Sequence, residues 1–382
     1  MRKTINIGDL GTIITGKTPP TTNKNYYGDY AVFIKPTDIS EQSKYTYETE
    51  EMYSKLAAEK YESSLIPKGA ICVPCIGTIG TKMTMTPCDC YTNQSINSII
   101  CNENYDNEYV YYLIKNFLPG LKAYNLGTAS GREYVSKSNF EKIELVAEQD
   151  KEIQKKIGVI LSRYDSLIEN YQKQIKLLEE AAQRLYKEWF VDFHFPGHET
   201  TKIVYGVPEG WTPSQLGQLA EFKRGKTITK KDVIDGDIPV VAGGLEPAYY
   251  CNKSNTAERV ITISGSGANA GFTRMYFEKV WASDCSFVDV SVTPFLHFVY
   301  CYLKDNKTTI DNMQKGAAQP HVYAKDINSL SICIPIESVL KSFEEKVSNY
   351  FDTTASLQSQ LRLLTEARDR LLPKLTNEEM EI

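Results

Sequence analysis

Residues 171–185 read YQKQIKLLEEAAQRL and residues 357–371 read LQSQLRLLTEARDRL, and this pair decides the architecture. The identical positions are Gln172/Gln358, Gln174/Gln360, Leu177/Leu363, Leu178/Leu364, Glu180/Glu366, Ala181/Ala367, Arg184/Arg370 and Leu185/Leu371. Two widely separated copies make a duplicated module, because a stacked array needs at least three.

Around the first copy, Ile153, Ile157, Ile160, Tyr164, Leu167, Tyr171, Ile175, Leu178, Ala182, Leu185 and Trp189 recur in steps of three and four. That is the spacing of a coiled-coil seam, and it predicts a helix over residues 149–190. At about 1.5 Å per residue the helix is roughly 60 Å long, more than one core requires, so it must pack lengthwise on something. Around the second copy, Leu340, Phe343, Val347, Tyr350, Leu357, Leu361, Leu364 and Leu371 repeat the stripe over residues 335–376, with Pro373 expected to stop it. The residues expected to pair the helices are Ile157, Ile160, Tyr164, Leu167, Tyr171, Leu178 and Leu185 on one, and Leu357, Leu361, Leu364 and Leu371 on the other. The pattern alone leaves their direction open.

A different grammar precedes each helix: short β-branched and aromatic runs punctuated by Gly, Pro, Asn and Asp. Residues 31–34, 70–75, 95–100, 240–242, 260–264 and 286–292 read as strands, and 109–116 and 295–303 as shorter helices. The reading is an α+β chain with mixed α/β domains at 1–148 and 211–334, a Pro- and Gly-bearing linker at 191–210 and a tail at 377–382. The two domains align loosely. Gly8, Leu10, Gly16, Lys17 and Thr18 match Gly217, Leu219, Gly225, Lys226 and Thr227, and further on Gly127 and Tyr134 match Gly316 and Tyr323. Shared frames carrying unlike faces imply two unlike targets.

The chain has 382 residues, 24 % charged and 42 % hydrophobic, with a net charge of −5. These are the proportions of a soluble globular protein, and no run approaches the roughly eighteen apolar residues of a membrane span. The N-terminus MRKTINIGDLGT lacks an apolar signal-peptide core, so the nine cysteines are expected as reduced thiols in a cytoplasm. Net charge does not advertise a nucleic-acid partner. Locally, Lys223, Arg224, Lys226, Lys230 and Lys231 form a cluster suited to neutralising phosphates, or equally to a solvated surface.

Three motifs tempt and fail. Gly11 to Thr18 fits the phosphate-loop pattern G-x-x-x-x-G-K-S/T, yet Pro19 and Pro20 stand where its helix must begin, and Ala220 replaces the first glycine in the matching stretch. Cys72, Cys75, Cys88 and Cys90 have the thiol count for zinc, but residues three apart on a strand point to opposite faces, so buried free thiols are expected. His194 and His198 have ligand spacing, but Pro196 and Gly197 between them break the required helix. No catalytic constellation emerges, and neither metal nor cofactor is expected.

The order of features resembles the specificity subunits of type I restriction–modification systems over nearly the whole chain. Carrying the resemblance are the variable-domain-then-helix order, repeated; Gly16-Lys17-Thr18-Pro19; FIKPTDI at 33–39; IGTIG at 76–80 with its weaker counterpart GSG at 265–267; RLYKEWFVDFHFPG at 184–197; and VPEGW at 207–211. The resemblance implies two target-recognition domains in a pseudo-two-fold arrangement, separated by long antiparallel coiled-coil helices. It implies that each domain reads one half of a bipartite, gapped site in double-stranded DNA. It further implies that the helices seat methyltransferase subunits, that a restriction subunit joins in some assemblies, and that the chain itself does no chemistry. On this reading the DNA-contact candidates are Lys17, Lys24, Lys35, Arg132 and Tyr134 in the first domain and Lys223, Arg224, Lys226, Lys230, His321 and Tyr323 in the second. A coiled-coil scaffold that binds only proteins is the competing class; a nucleotide hydrolase is a third, weaker one.

Overall fold

The computed structural model describes residues 2–127, 133–316 and 320–377. The chain divides into two units, Met1–Gln172 with Gln360–Ile382, and Lys173–Ser359. Both are mixed α+β, as the sequence suggested, and they share one topology.

In the first unit a four-stranded sheet runs in the order Gly11–Thr15, Ile96–Cys101, Ile71–Pro74, Thr84–Met85. In the second the order is Lys223–Arg224, Cys285–Asp289, Val260–Ser264, Thr273–Tyr276. Each unit adds a smaller sheet with one parallel pair: Ala31–Ile34 beside Tyr91–Thr92, and Ile238–Val241 beside Trp281–Ala282. The strand Ile71–Pro74 is buried throughout because both its faces are covered. Ile71 and Val73 join a core with Tyr109 and Tyr112 of the helix Asn107–Phe117, while Cys72 joins a separate core with Ile34 and Ile96. Val260–Ser264 repeats the arrangement, with Ile261 and Ile263 on one side and Val260 on the other.

One feature of each unit was not legible in the sequence. Arg2–Asn6 pairs with Glu144–Glu148, and Thr212–Gln215 pairs with Ser331–Ile334. In each unit a strand that precedes the four-stranded sheet thus joins the strand leading into a long helix. Arg2–Asn6 and Thr212–Gln215 are largely polar, so only their partners identify them.

The first long helix is Lys151–Tyr186, closed by a π turn at Lys187–Val191. Asp150 caps it by accepting from the Glu152 and Ile153 amides at 2.8 and 3.3 Å. Gly158 lies inside it because a Cβ there would stand 2.7 Å from the Glu108 Cβ; glycine lets the two helices approach closely. In the first unit Ile157 and Leu161 share a core with Leu372 and Leu375, and Asp165 pairs with Arg368. Rising numbers on one helix meet falling numbers on the other, so they pair antiparallel there. In the second unit Tyr186 and Trp189 pack on Phe343, with ring centroids 6.4 and 5.8 Å apart.

The seam differs from the apolar reading in one stretch. Leu167 is exposed, Ile160, Tyr164 and Tyr171 are half-buried, and the buried side chains, besides Gly158, are Gln154, Ile157, Leu161, Asp165 and Ile168. Two of the five are polar, so counting apolar residues shifts the stripe onto its neighbours. Gln154 accepts from the Asp106 amide and donates to the Glu148 carbonyl, both at 2.8 Å. Leu178, Leu185, Leu361, Leu364 and Leu371 are half-buried and Leu357 is buried.

The second long helix, Glu337–Thr376, passes through Pro373 instead of stopping there. A proline inside a helix costs about 3 kcal/mol. Burial of Leu372 and Leu375, at about 1.5–3 kcal/mol for each fully buried leucine, offsets that cost. Arg2 then caps the end, donating to the Thr376 and Leu375 carbonyls at 2.7 and 2.8 Å. Among the described residues no helix is long and apolar enough to cross a membrane.

Candidate nucleic-acid interface

In the first unit, Gly11–Thr15 and Ile71–Pro74 both run antiparallel to Ile96–Cys101, so their C-terminal ends meet at one edge of the sheet. Lys223–Arg224, Val260–Ser264 and Cys285–Asp289 do the same in the second. Two kinds of loop therefore gather at that edge in each unit: the Gly-Lys-Thr elbow and a glycine turn.

At the elbow, the Gly16 and Lys17 amides donate to the carbonyls of Ile96 (3.2 Å) and Thr92 (2.9 Å). The Gly225 and Lys226 amides donate to Cys285 (2.8 Å) and Ala282 (2.9 Å). Glycine is required by close approach: a Cβ would lie 2.1 Å from the Thr92 carbonyl at Gly16, and 2.3 Å from the Ser283 carbonyl at Gly225. A phosphate loop needs free amides; these are spent, and no helix starts at Lys17. The elbow presents a lysine side chain, exposed in both units, and not a phosphate cradle.

The second loop set corrects the sequence alignment. Gly77 donates to the Glu133 carbonyl and Val135 to Cys75, while Gly267 donates to Pro320 and Val322 to Gly265. Ile76 bridges Tyr134, and Ser266 bridges His321. Tyr134 therefore corresponds to His321 and not to Tyr323. Gly127 and Gly316 still correspond, since Leu126 and Lys315 donate to the Tyr134 and His321 carbonyls. The second unit spans this interval with two fewer residues, and a fixed alignment offset could not register the change. Tyr323 instead precedes the short helix Ala324–Asn328, and its ring stacks on His321 at 5.9 Å. Arg132 lies outside the described residues.

The candidate cations differ in their freedom. Lys223, Arg224, Lys226, Lys230 and Lys231 are all exposed, and none has an ion pair among the described residues. Lys223 and Arg224 sit on an edge strand, and Lys230 opens the turn Lys230–Asp232. Lys17 and Lys24 are likewise exposed and unpaired among the described residues. Lys35 is different: its amine lies 2.7 Å from Glu50 and 3.2 Å from Glu51. Burial acts to lower its pKa, but those two carboxylates outweigh it and leave the amine raised. Its charge is already committed.

Sequence reading did not single out the aromatic donors around the elbow. Tyr53 donates to the Lys17 carbonyl at 2.6 Å and Trp281 Nε1 to the Lys226 carbonyl at 2.7 Å. Tyr27 donates to Pro19 at 2.9 Å and Tyr249 to Ile228 at 2.6 Å. No local signal marks them, because the accepting carbonyls belong to distant residues of any type.

Among the described residues no three His, Cys, Asp or Glu side chains are grouped to hold a metal. Burial pushes the thiols of Cys72 and Cys75 up to about 12, and they sit in separate cores. Such protonated thiols are poor metal ligands. The His194 and His198 rings lie 5.3 Å apart, and His198 Nδ1 lies 2.8 Å from the Phe195 carbonyl oxygen.

Residues 2–180 and 208–364 match the family model of the type I restriction modification DNA specificity domain. The chain is similar to the type I restriction enzyme MjaIX specificity subunit of Methanocaldococcus jannaschii, with 27 % identity over 98 % of this chain and 93 % of that protein. It is also similar to the HindI specificity subunit of Haemophilus influenzae, with 38 % identity over 41 % of this chain and 35 % of the relative. Its fold is similar to the crystal structure of the S subunit of a type I restriction-modification system from M. genitalium. That similarity has a TM-score of 0.63 at 18 % identity, covering 98 % of this chain and 96 % of the other.

Proposed function

The chain belongs to the type I restriction modification DNA specificity family, and from that premise we propose that it is the DNA-reading subunit of a type I restriction–modification complex. Each unit reads one half of a bipartite, gapped duplex site in the cytoplasm, and a partner methyltransferase subunit performs the chemistry. The observation that carries this reading is the repeated sheet edge. Both units gather the same loops on the same topology, while residues on those loops differ: Tyr134 against His321, Ile76 against Ser266. Equivalent supports with unlike faces suit two half-sites of different sequence.

Unpaired elbow lysines fit phosphate contacts that set register, and the free cations from Lys223 to Lys231 add to them in the second unit. The seat for methyltransferase subunits falls on the repeated helices. Leu177 and Leu363, equivalent in the repeat, are 62 % and 58 % exposed, which leaves two matched apolar positions without cover from their own fold. A restriction subunit would join the same assembly.

The test is co-expression with the neighbouring methyltransferase subunit in a methylation-free host, mapping adenine methylation by single-molecule sequencing. A gapped motif that disappears without this chain is expected. Exchanging residues 211–334 for the same region of a relative should then alter one half of the motif. A stable complex with no motif would refute the DNA-reading role and favour a scaffold.

A further inference from the structure

The Gly-Lys-Thr elbow is pinned at corresponding backbone positions in both units, by side chains that do not correspond. In the first unit the Lys17 carbonyl accepts from Tyr53 and the Pro19 carbonyl from Tyr27. In the second the Lys226 carbonyl accepts from Trp281 Nε1 and the Ile228 carbonyl from Tyr249. Tyr53 belongs to the strand Met52–Tyr53, which pairs antiparallel with Ala31–Ile34. Trp281 belongs to Trp281–Ala282, which pairs in parallel with Ile238–Val241. The strand occupying that parallel position in the first unit is Tyr91–Thr92, and its Tyr91 hydroxyl is used elsewhere, on the Ala58 carbonyl at 3.1 Å.

Inheritance of one hydrogen bond would keep one donor on one strand. Instead the two units satisfy the same carbonyl from different strands with different ring types. What they share is therefore the state of the elbow. With the lysine amide given to Thr92 or Ala282 and its carbonyl held by a ring donor, both backbone groups of that residue are fixed. Only the ammonium-bearing side chain is left free, and it is exposed in both units. Preorganising a long, rotamer-rich side chain at its root lowers the ordering cost of a phosphate contact.

We propose that Tyr53 and Tyr27 in the first unit, and Trp281 and Tyr249 in the second, are positioning residues that aim Lys17 and Lys226 at the DNA backbone. The inference rests on the DNA-reading function proposed above. It predicts that the rings act through the lysines and not as general fold supports.

The experiment uses the complex with the methyltransferase subunit and a labelled duplex carrying the motif that the wild-type complex methylates, with affinity measured across a salt series. Lys17→Ala is expected to reduce the slope of log affinity against log salt by about 0.9, the share of one phosphate contact. Between 50 and 200 mM salt that is about a 3.5-fold smaller loss of affinity. The double variant Tyr27→Phe with Tyr53→Phe, which removes two hydroxyls and keeps both rings, should lower the slope similarly. Adding Lys17→Ala to it should then lower the slope no further. Trp281→Phe with Tyr249→Phe should reproduce the pattern against Lys226→Ala, so a folding failure in one unit leaves the other to decide. Affinity lost with an unchanged slope, or losses that add to those of the lysine variants, would overturn the positioning role. Unchanged slopes for both lysine variants would overturn it too, by removing the lysines as phosphate contacts. Failure of the DNA-reading function itself would appear separately, as a wild-type complex that methylates no motif.

Discussion

Replacing Arg368 with alanine should destabilise the first unit by about 2–4 kcal/mol, and the value follows from what the guanidinium leaves behind. Arg368 donates to Asp165 at 2.7 Å, and the two side chains are 12 % and 6 % exposed. Unit charges at that separation interact with roughly 6 kcal/mol at an effective dielectric constant of about 20, before desolvation is subtracted. Removing one partner of a buried pair typically costs about 3–5 kcal/mol, because the other charge stays buried. Here the Asp165 carboxylate keeps two neighbours: the Tyr112 hydroxyl donating at 2.6 Å and the Lys115 amine at 3.9 Å. They reduce the penalty to the stated range. A domain of 150–250 residues loses about 2–4 °C of melting temperature per kcal/mol, so calorimetry should show the first unit's transition falling by roughly 4–16 °C. The double variant Asp165→Asn with Arg368→Met, which removes both charges and keeps an amide oxygen to accept from Tyr112, should recover much of that loss. A single variant within about 2 °C of wild type, or a double variant worse than the single, would refute the claim that the stranded Asp165 charge is what destabilises the unit.

Leu177→Lys with Leu363→Lys should weaken assembly with the methyltransferase subunit while leaving the melting temperature of the isolated chain within a few degrees, since both leucines are exposed; gel filtration of the mixed proteins reads the outcome, and full assembly would remove these positions from the seat. Gly16→Ala should cut soluble yield sharply, because its Cβ would meet the Thr92 carbonyl at 2.1 Å. Gly77→Ala, with φ +86° but no atom within 4 Å, should cost only about 1 kcal/mol in denaturant melts. Equal effects of the two glycine variants would contradict the close-approach argument. Burial raises the Glu179 carboxyl above its ordinary range, against the lowering effects of Lys304, Tyr300 and Arg274. A carboxyl raised on folding contributes stability below its unfolded pKa and loses it as pH rises through the folded value. Glu179→Gln should therefore flatten the decline of melting temperature from mildly acidic to neutral pH, and a steeper decline would reverse the assignment.

Legibility in the sequence followed the range of the forces. The predicted strands at 31–34 and 260–264 coincide with Ala31–Ile34 and Val260–Ser264, where β-branched runs are bounded by turn residues. The helix Asn107–Phe117 was visible for the same local reason. Polar members of buried surfaces were not. Asp165 and Gln154 lie in the seam because each finds hydrogen-bond partners supplied by distant segments, and a count of apolar residues passes over them. The same reasoning explains Pro373, which is tolerated because Leu372 and Leu375 beside it are buried against distant segments of the first unit. Lys35 looked as available as Lys17 until Glu50 and Glu51 were found beside it.

By itself the sequence determined the duplication, the two long helices and the mixed α+β domains before them, because periodicity and turn chemistry act between near neighbours. Only the tertiary structure decided which way the helices pair, which loop residues correspond and which lysines stay free. Those outcomes rest on contacts across long chain separations. At the elbow the acceptors are backbone carbonyls, and a carbonyl carries no trace in the sequence of the tyrosine or tryptophan that binds it.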